Sequence, residues 1–294
     1  MPKCALLALD ISGFRVKLLD KHRMAGSPYD PSRAPVAYGR RAVPQLFSEL
    51  QQQEAPRRLR ALASLADGRL LIILQEKRAE ALLTLVPKLM LKLREEEEEE
   101  DVQVLLLSTL SSCSCLDPLP ALASDGVSLL LHKLSDSSTD IRREATAALM
   151  ALSVCEDGMR QVCEEEVLPV LVDLLRDKDV EVQANAAGVI MYAAIINEGK
   201  RQCLDLDVIP ILLSLVSQDG EEEKDKERKK ALVMYSLRAL TALAEAPQGR
   251  CLLLEQLPLL GRRSEAAEED QDIRRNAQNA VRVITWTPCN TGDP

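Results

Sequence analysis

The chain has 294 residues, with 37 Lys and Arg against 46 Asp and Glu, giving a formal charge of −9. That acidic balance excludes nucleic-acid binding driven by bulk charge, because phosphate contacts need a basic face. One Trp, four Tyr and two Phe beside abundant Leu, Ala and Val, with twelve Gly, starve sheets and feed helices, so the predicted class is all-α.

In chain order, residues 1–29 are expected to be an extension outside the fold, disordered or extraneous. Cys4 to Leu9 is too short for a signal-peptide core, and the cations Lys3, Arg15, Lys17, Lys21 and Arg23 are interrupted by Asp10 and Asp20. Residues 30–288 read as one repeat domain, and 289–294 as a disordered tail. Within the domain lie an acidic loop at 95–101 and a charged insertion at 219–230. The longest apolar run, Val189 to Ile196, is less than half of the roughly 18 residues a membrane helix needs. The expected location is the cytoplasm, and the eight Cys read as small reduced core residues.

Prolines that open Leu-rich segments set the period. Pro44, Pro87, Pro169, Pro210 and Pro258, with Ser128 in the place of a missing proline, are separated by 43, 41, 41, 41 and 48 residues. A second series agrees. Ile141, Val182, Leu232 and Ile273 each start an apolar stripe at i, i+4, i+8 and i+11, as in Val182/Ala186/Ile190/Ala193, and are 41, 50 and 41 apart. Each unit therefore reads as a proline-led helix, a polar loop and an amphipathic stripe helix. A glycine free to take a left-handed cap (Gly158, Gly199, Gly249) and a short third helix follow. Two long helices and a short one at this period predict a right-handed armadillo/HEAT-type α-solenoid of about five to six repeats of roughly 41 residues. One such unit buries too little apolar area to offset its ordering entropy, so neighbours must share a core. Alanines such as Ala145, Ala186 and Ala277 let their helices approach closely.

A search for chemistry finds little. His22 and His132 are the two histidines, Cys113-Ser114-Cys115 is a lone C-x-C, and no phosphate loop, nucleophile elbow or zinc-binding H-E-x-x-H occurs. The expectation is a non-enzyme with no cofactor, metal, nucleic acid, membrane or small-molecule substrate. What remains is a surface. Glu144, Asn185, Tyr235 and Asn276 recur three residues after each stripe begins, on the helix that lines a solenoid's groove, and Asn can bond a peptide backbone with both amide atoms. Arg142, Arg143, Arg274 and Arg275 flank that ladder and suit acidic segments. These eight residues are the candidate partner-binding groove. Trp286 is expected to close the core at the C-terminal end.

The segments Asp30-Pro31, Ala37-Tyr38-Gly39-Arg40-Arg41-Ala42, Ala184-Asn185-Ala186-Ala187-Gly188, Asn197-Glu198-Gly199-Lys200, Ala244 to Arg250 and Arg282 to Pro288 resemble the radial spoke head 14 (rhabdoid tumour deletion region) family of armadillo-repeat proteins in motile cilia. The resemblance is strong from Asp125 to Pro288, recognisable from Asp30 to Asp67 and weak between. It implies a non-enzymatic scaffold in the axonemal radial spoke that binds other spoke proteins, located in the cytoskeleton of the cilium or flagellum. Family members carry about two further repeats in the N-terminal half, so a shorter groove is expected here. The alternative is a soluble armadillo adaptor for extended peptides, in import or signalling. A single Trp argues against it, because import receptors line their groove with repeated Trp and Asn.

Overall fold

A computed structural model describes residues 78–95, 99–217, 223–266 and 270–286. The N-terminal extension, the mark at Pro44 and the tail at 289–294 lie outside these. Every described element is a helix or a turn. The chain divides into two compact units, residues 1–120 and 121–294.

In the first unit, α1 (Arg78–Arg94) and α2 (Glu100–Leu116) pack on each other. Leu82, Leu85, Val86, Leu89, Met90 and Leu93 of α1 are buried, as are Val102, Leu106, Leu107, Leu110 and Cys113 of α2. Pro87 does not open a helix as its spacing predicts; it sits inside α1. The hydrogen bond its missing N–H forgoes falls on the face shared with Leu83 and Leu91, which is exposed, so the freed carbonyl can meet water. The acidic run is also less of a loop than expected: α2 begins directly after Glu99, whose side chain makes no capping bond, and Glu100 and Asp101 form its first turn, where the helix dipole favours negative charge.

A short helix, α3 (Leu119–Leu122), crosses the division between units. Beyond it the second unit repeats one plan. It contains α4 (Gly126–Leu134) and α5 (Thr139–Leu152), then α6 (Glu156–Glu164), α7 (Val167–Leu174) and α8 (Val180–Ala193). Next come α9 (Asn197–Asp205), α10 (Val208–Ser217) and α11 (Glu223–Leu243), then α12 (Pro247–Leu254), α13 (Leu257–Glu265) and α14 (Gln271–Ile284). The stripe helices α5, α8, α11 and α14 pack successively, α5 on α8, α8 on α11 and α11 on α14. Every stripe residue is buried except Val281, which belongs to the last repeat and is half-buried.

Local chemistry sets the boundaries. Three residues before the stripe, Ser138 accepts from the Ile141 amide, Asp179 from Glu181 and Val182, and Asp270 from Asp272 and Ile273, so α5, α8 and α14 begin there. The equivalent of that cap in the third repeat is Lys229, which cannot accept, and α11 runs back to Glu223. The charged insertion is therefore partly a helical extension from 223 to 230 rather than a loop throughout.

The turn into each second helix uses a left-handed residue at Asp125, Glu166 and Asp207, spaced by 41, with φ of 57°, 53° and 50°. The last repeat is two residues shorter between Gly249 and Pro258, and its Gln256 has a φ of −102°. Gly158, Gly199 and Gly249 are not left-handed caps. They lie in the first turns of α6, α9 and α12, where a Cβ would strike the carbonyl of Leu152, Ala193 and Leu243. Glycine is required there by close backbone approach between consecutive helices.

Two further expectations change. Trp286 does not close the core: it is 58% exposed, with the Arg250 guanidinium 6.0 Å from its ring centroid. It follows the α14 C-cap, off the buried stripe. Among the described cysteines, Cys113, Cys163 and Cys203 are buried, but Cys251 is exposed on α12. No helix among the described residues is long and apolar enough to cross a membrane.

Candidate partner-binding surface

Because α5, α8, α11 and α14 lie side by side in one register, Glu144, Asn185, Tyr235 and Asn276 occupy equivalent positions on successive helices. Their surroundings differ. Asn185 Nδ2 donates to the Arg143 carbonyl at 3.4 Å and to Thr146 Oγ1 at 3.5 Å, both on the preceding stripe helix. Asn276 Oδ1 accepts from Arg238 Nε at 3.0 Å and its Nδ2 donates to the Asp272 carbonyl at 2.8 Å. Burial pushes the Tyr235 phenol up to about 12; nearby Tyr192 adds to this and Arg238 opposes it. Glu144 is half-buried.

The arginines of the first described stripe helix tie one repeat to the next. Arg142 Nη1 donates to the carbonyls of Asp136 and Ser137, both at 2.9 Å, while its Nε donates to Asp177 Oδ2 at 2.8 Å in the following repeat. Arg143 reaches Asp179 Oδ2 at 2.7 Å and Asp140 Oδ1 at 2.5 Å. Burial alone would raise the Asp179 pKa, but Arg143 and the Val182 and Glu181 amides together hold it below the usual carboxylate range. Further along, Lys230 bridges to Asp270 and Asp272, each at 2.8 Å. In the last repeat Arg274 is half-buried and Arg275 exposed. Sequence reasoning missed Arg238, which orients the Asn276 amide; its signal was its place one helical turn after Tyr235, where other repeats carry Ala147, Gly188 and Asn279.

Other openings are shallow. A cleft of about 490 Å³ lies between successive repeats at α9 and the start of α12, where Lys200 donates to Glu245 Oε2 at 2.6 Å and to the Ile195 carbonyl. The Cys113 thiol of the C-x-C is pushed up to about 12, chiefly by burial and further by Cys115. Burial likewise raises Cys203 to about 12 and Cys163 to about 11, which removes thiolate character. Among the described residues no three His, Cys, Asp or Glu side chains are grouped to hold a metal.

The geometry is that of an armadillo-type α-solenoid. Residues 160–192 match the armadillo/β-catenin-like repeat model. Solved structures of the same fold include an engineered protein with a TM-score of 0.69 at 19% identity, covering 83% of this chain and 98% of the other. A computationally designed armadillo repeat protein for modular peptide recognition matches with a TM-score of 0.68 at 20% identity, over 82% and 99%. A designed armadillo repeat protein in complex with the peptide (KR)4 gives 0.66 at 20% identity, again over 82% and 99%.

Proposed function

We propose that this chain is a non-enzymatic scaffold of the axonemal radial spoke in motile cilia and flagella, holding neighbouring spoke proteins along its solenoid surface. The observation that carries the scaffold reading is where the ladder side chains are used. Arg142, Arg143, Asn185 and Asn276 are engaged in ties within and between repeats. A groove whose polar groups brace its own stack is a stiff frame rather than an open clamp for peptide backbone. The resemblance of residues 125–288 to the radial spoke head 14 family supports placing that frame in the cilium and its cytoskeleton.

The second reading is a soluble adaptor for extended peptides. It is favoured by the likeness to designed peptide-binding armadillo proteins, one of them solved with (KR)4. The cations Arg238, Arg274 and Arg275 on the stripe helices of this chain disfavour a basic peptide such as that one. Removal of the protein from ciliated cells is expected to leave spokes incomplete and beating impaired, with the native protein confined to the axoneme by immunolocalisation. Normal spokes and normal motility would overturn the spoke role, and capture of basic localisation peptides by purified protein would favour the adaptor.

A further inference from the structure

The last described repeat presents, on its outer side, the positions that the preceding repeats use to stack. In the shared register Leu254 corresponds to Cys163 and Leu204, which are 3% and 8% exposed, yet Leu254 is 44% exposed. Val281 corresponds to Leu149, Ile190 and Leu240, all sealed, and is half-buried. Thr285 stands where Ser153, Ala194 and Ala244 are buried, and is exposed. Gln278 takes the place of Thr146, whose hydroxyl meets Asn185 of the next repeat, and is exposed as well. A Cβ built on Gly261 of α13 meets nothing within 4 Å.

The charges on this face follow the same logic. At the first described junction Arg142 and Arg143 close on Asp177 and Asp179, the carboxylates of the loop that leads into the next stripe helix. At the last junction a cation from a different register position, Lys230, two residues before its stripe, closes on Asp270 and Asp272, and the middle junction carries Gln183 and Ala184 where the first has its arginines. Arg274 and Arg275 are the register equivalents of Arg142 and Arg143, one half-buried and one exposed, on the same helix as Val281.

We propose that this end face docks a helical repeat of another protein, one that brings an acidic Asp-x-Asp-like loop ahead of its innermost helix to Arg274 and Arg275 and continues the stack. The face continues a packing made three times among the described stripe helices, which specifies the shape of the occupant, while its charge follows from the first junction, where the residues equivalent to Arg274 and Arg275 hold two aspartates. A second copy of this chain is a poorer occupant through its own Asp177-Lys178-Asp179 loop, because those carboxylates already hold Arg142 and Arg143. The proposal assigns Arg274 and Arg275 to the outer face of the last described repeat rather than to the groove where the sequence placed them, and is independent of the spoke assignment.

The test uses the full chain in cells that naturally express it, with photoreactive benzoylphenylalanine replacing Gln278, and mass-spectrometric sequencing of the cross-linked peptide. The expected product joins residue 278 to an acid-bearing loop or helix of another helical-repeat protein, with a yield lowered about tenfold by Arg275→Glu, equivalent to about 1.4 kcal/mol. Ile195→Asp, on a different exposed site, leaves the yield unchanged. Arg275 is exposed, so its variant is expected to keep the fold, and an unchanged thermal transition checks this. A cross-link to a second copy, to a non-helical segment or to no other protein overturns the proposal, as does a yield indifferent to Arg275→Glu.

Discussion

At the scale of single residues, the repeat exposes its own exceptions. Stripe position i+4 holds Ala145, Ala186 and Ala277 in three repeats and Ser236 in the third, where the hydroxyl is fully buried and makes no hydrogen bond. A buried, unsatisfied hydroxyl costs about 1–3 kcal/mol. Ser236→Ala is therefore expected to stabilise the second unit by about 1 kcal/mol, read as a higher urea midpoint; a lower midpoint would show that the hydroxyl has a partner. The glycines divide by the same reasoning. Gly158→Ala forces a methyl into the Leu152 carbonyl and is expected to cost several kcal/mol, about what severe overpacking costs. Gly261→Ala enters open space inside a helix and is expected to stabilise by about 0.5–1 kcal/mol. Thermal unfolding of the two variants side by side distinguishes them, and equal effects would contradict the helix-crossing geometry at Gly158.

At the scale of elements, capping and inter-repeat ties act through the same carboxylates. Asp179 caps α8 and receives Arg143; Asp270 caps α14 and receives Lys230. Both pKa values lie below the usual range: burial opposes the shift, and the cation with the capped amides outweighs it. A depressed folded pKa means the stability these groups supply is complete above the unfolded value of about 3.9 and is lost as pH falls through the folded values. Stability is expected to fall on acidification in that window. The pair Arg143→Gln with Lys230→Gln should flatten the fall, measured as urea midpoint against pH; an unchanged slope would remove these ties from the account. Asp179→Ala is expected to cost about 1–2 kcal/mol at neutral pH from the lost cap alone.

Much of this level was legible in the sequence. The stripes at Ile141, Val182, Leu232 and Ile273 fix four helices and their register because burial on one face imposes a 3.6-residue period. The short helices α6, α9 and α12 were expected after their glycines, but each begins two residues before its glycine. What escaped was determined by neighbours rather than by local pattern. Pro87 resembles an N-terminal mark but falls mid-helix, on a face exposed enough to tolerate it. Gly158 and its equivalents read as caps, but the crossing of the preceding helix dictates them. Of the ladder, sequence placed Asn185 and Asn276 in register, whereas the cross-repeat partners Arg238, Asp177 and Asp179 depend on which loop meets which helix.

At the scale of the whole molecule, the claim is that consecutive repeats of the second unit share one interior. Ile190 on α8, fully buried, belongs to a stripe flanked by α5 on one side and α11 on the other, and the small residues Ala186, Ala187 and Gly188 bring those helices close. Met150 packs directly against Gly188 across one of these contacts. Such a stack behaves as a chain of coupled units, so a defect in one repeat weakens its neighbours. Native-state hydrogen exchange of the Ile190→Ala variant tests this most directly. The expected result is a loss of about 2–5 kcal/mol of protection that spreads from α8 into both α5 and α11. Loss confined to α8, with α5 and α11 exchanging as before, would contradict the shared core.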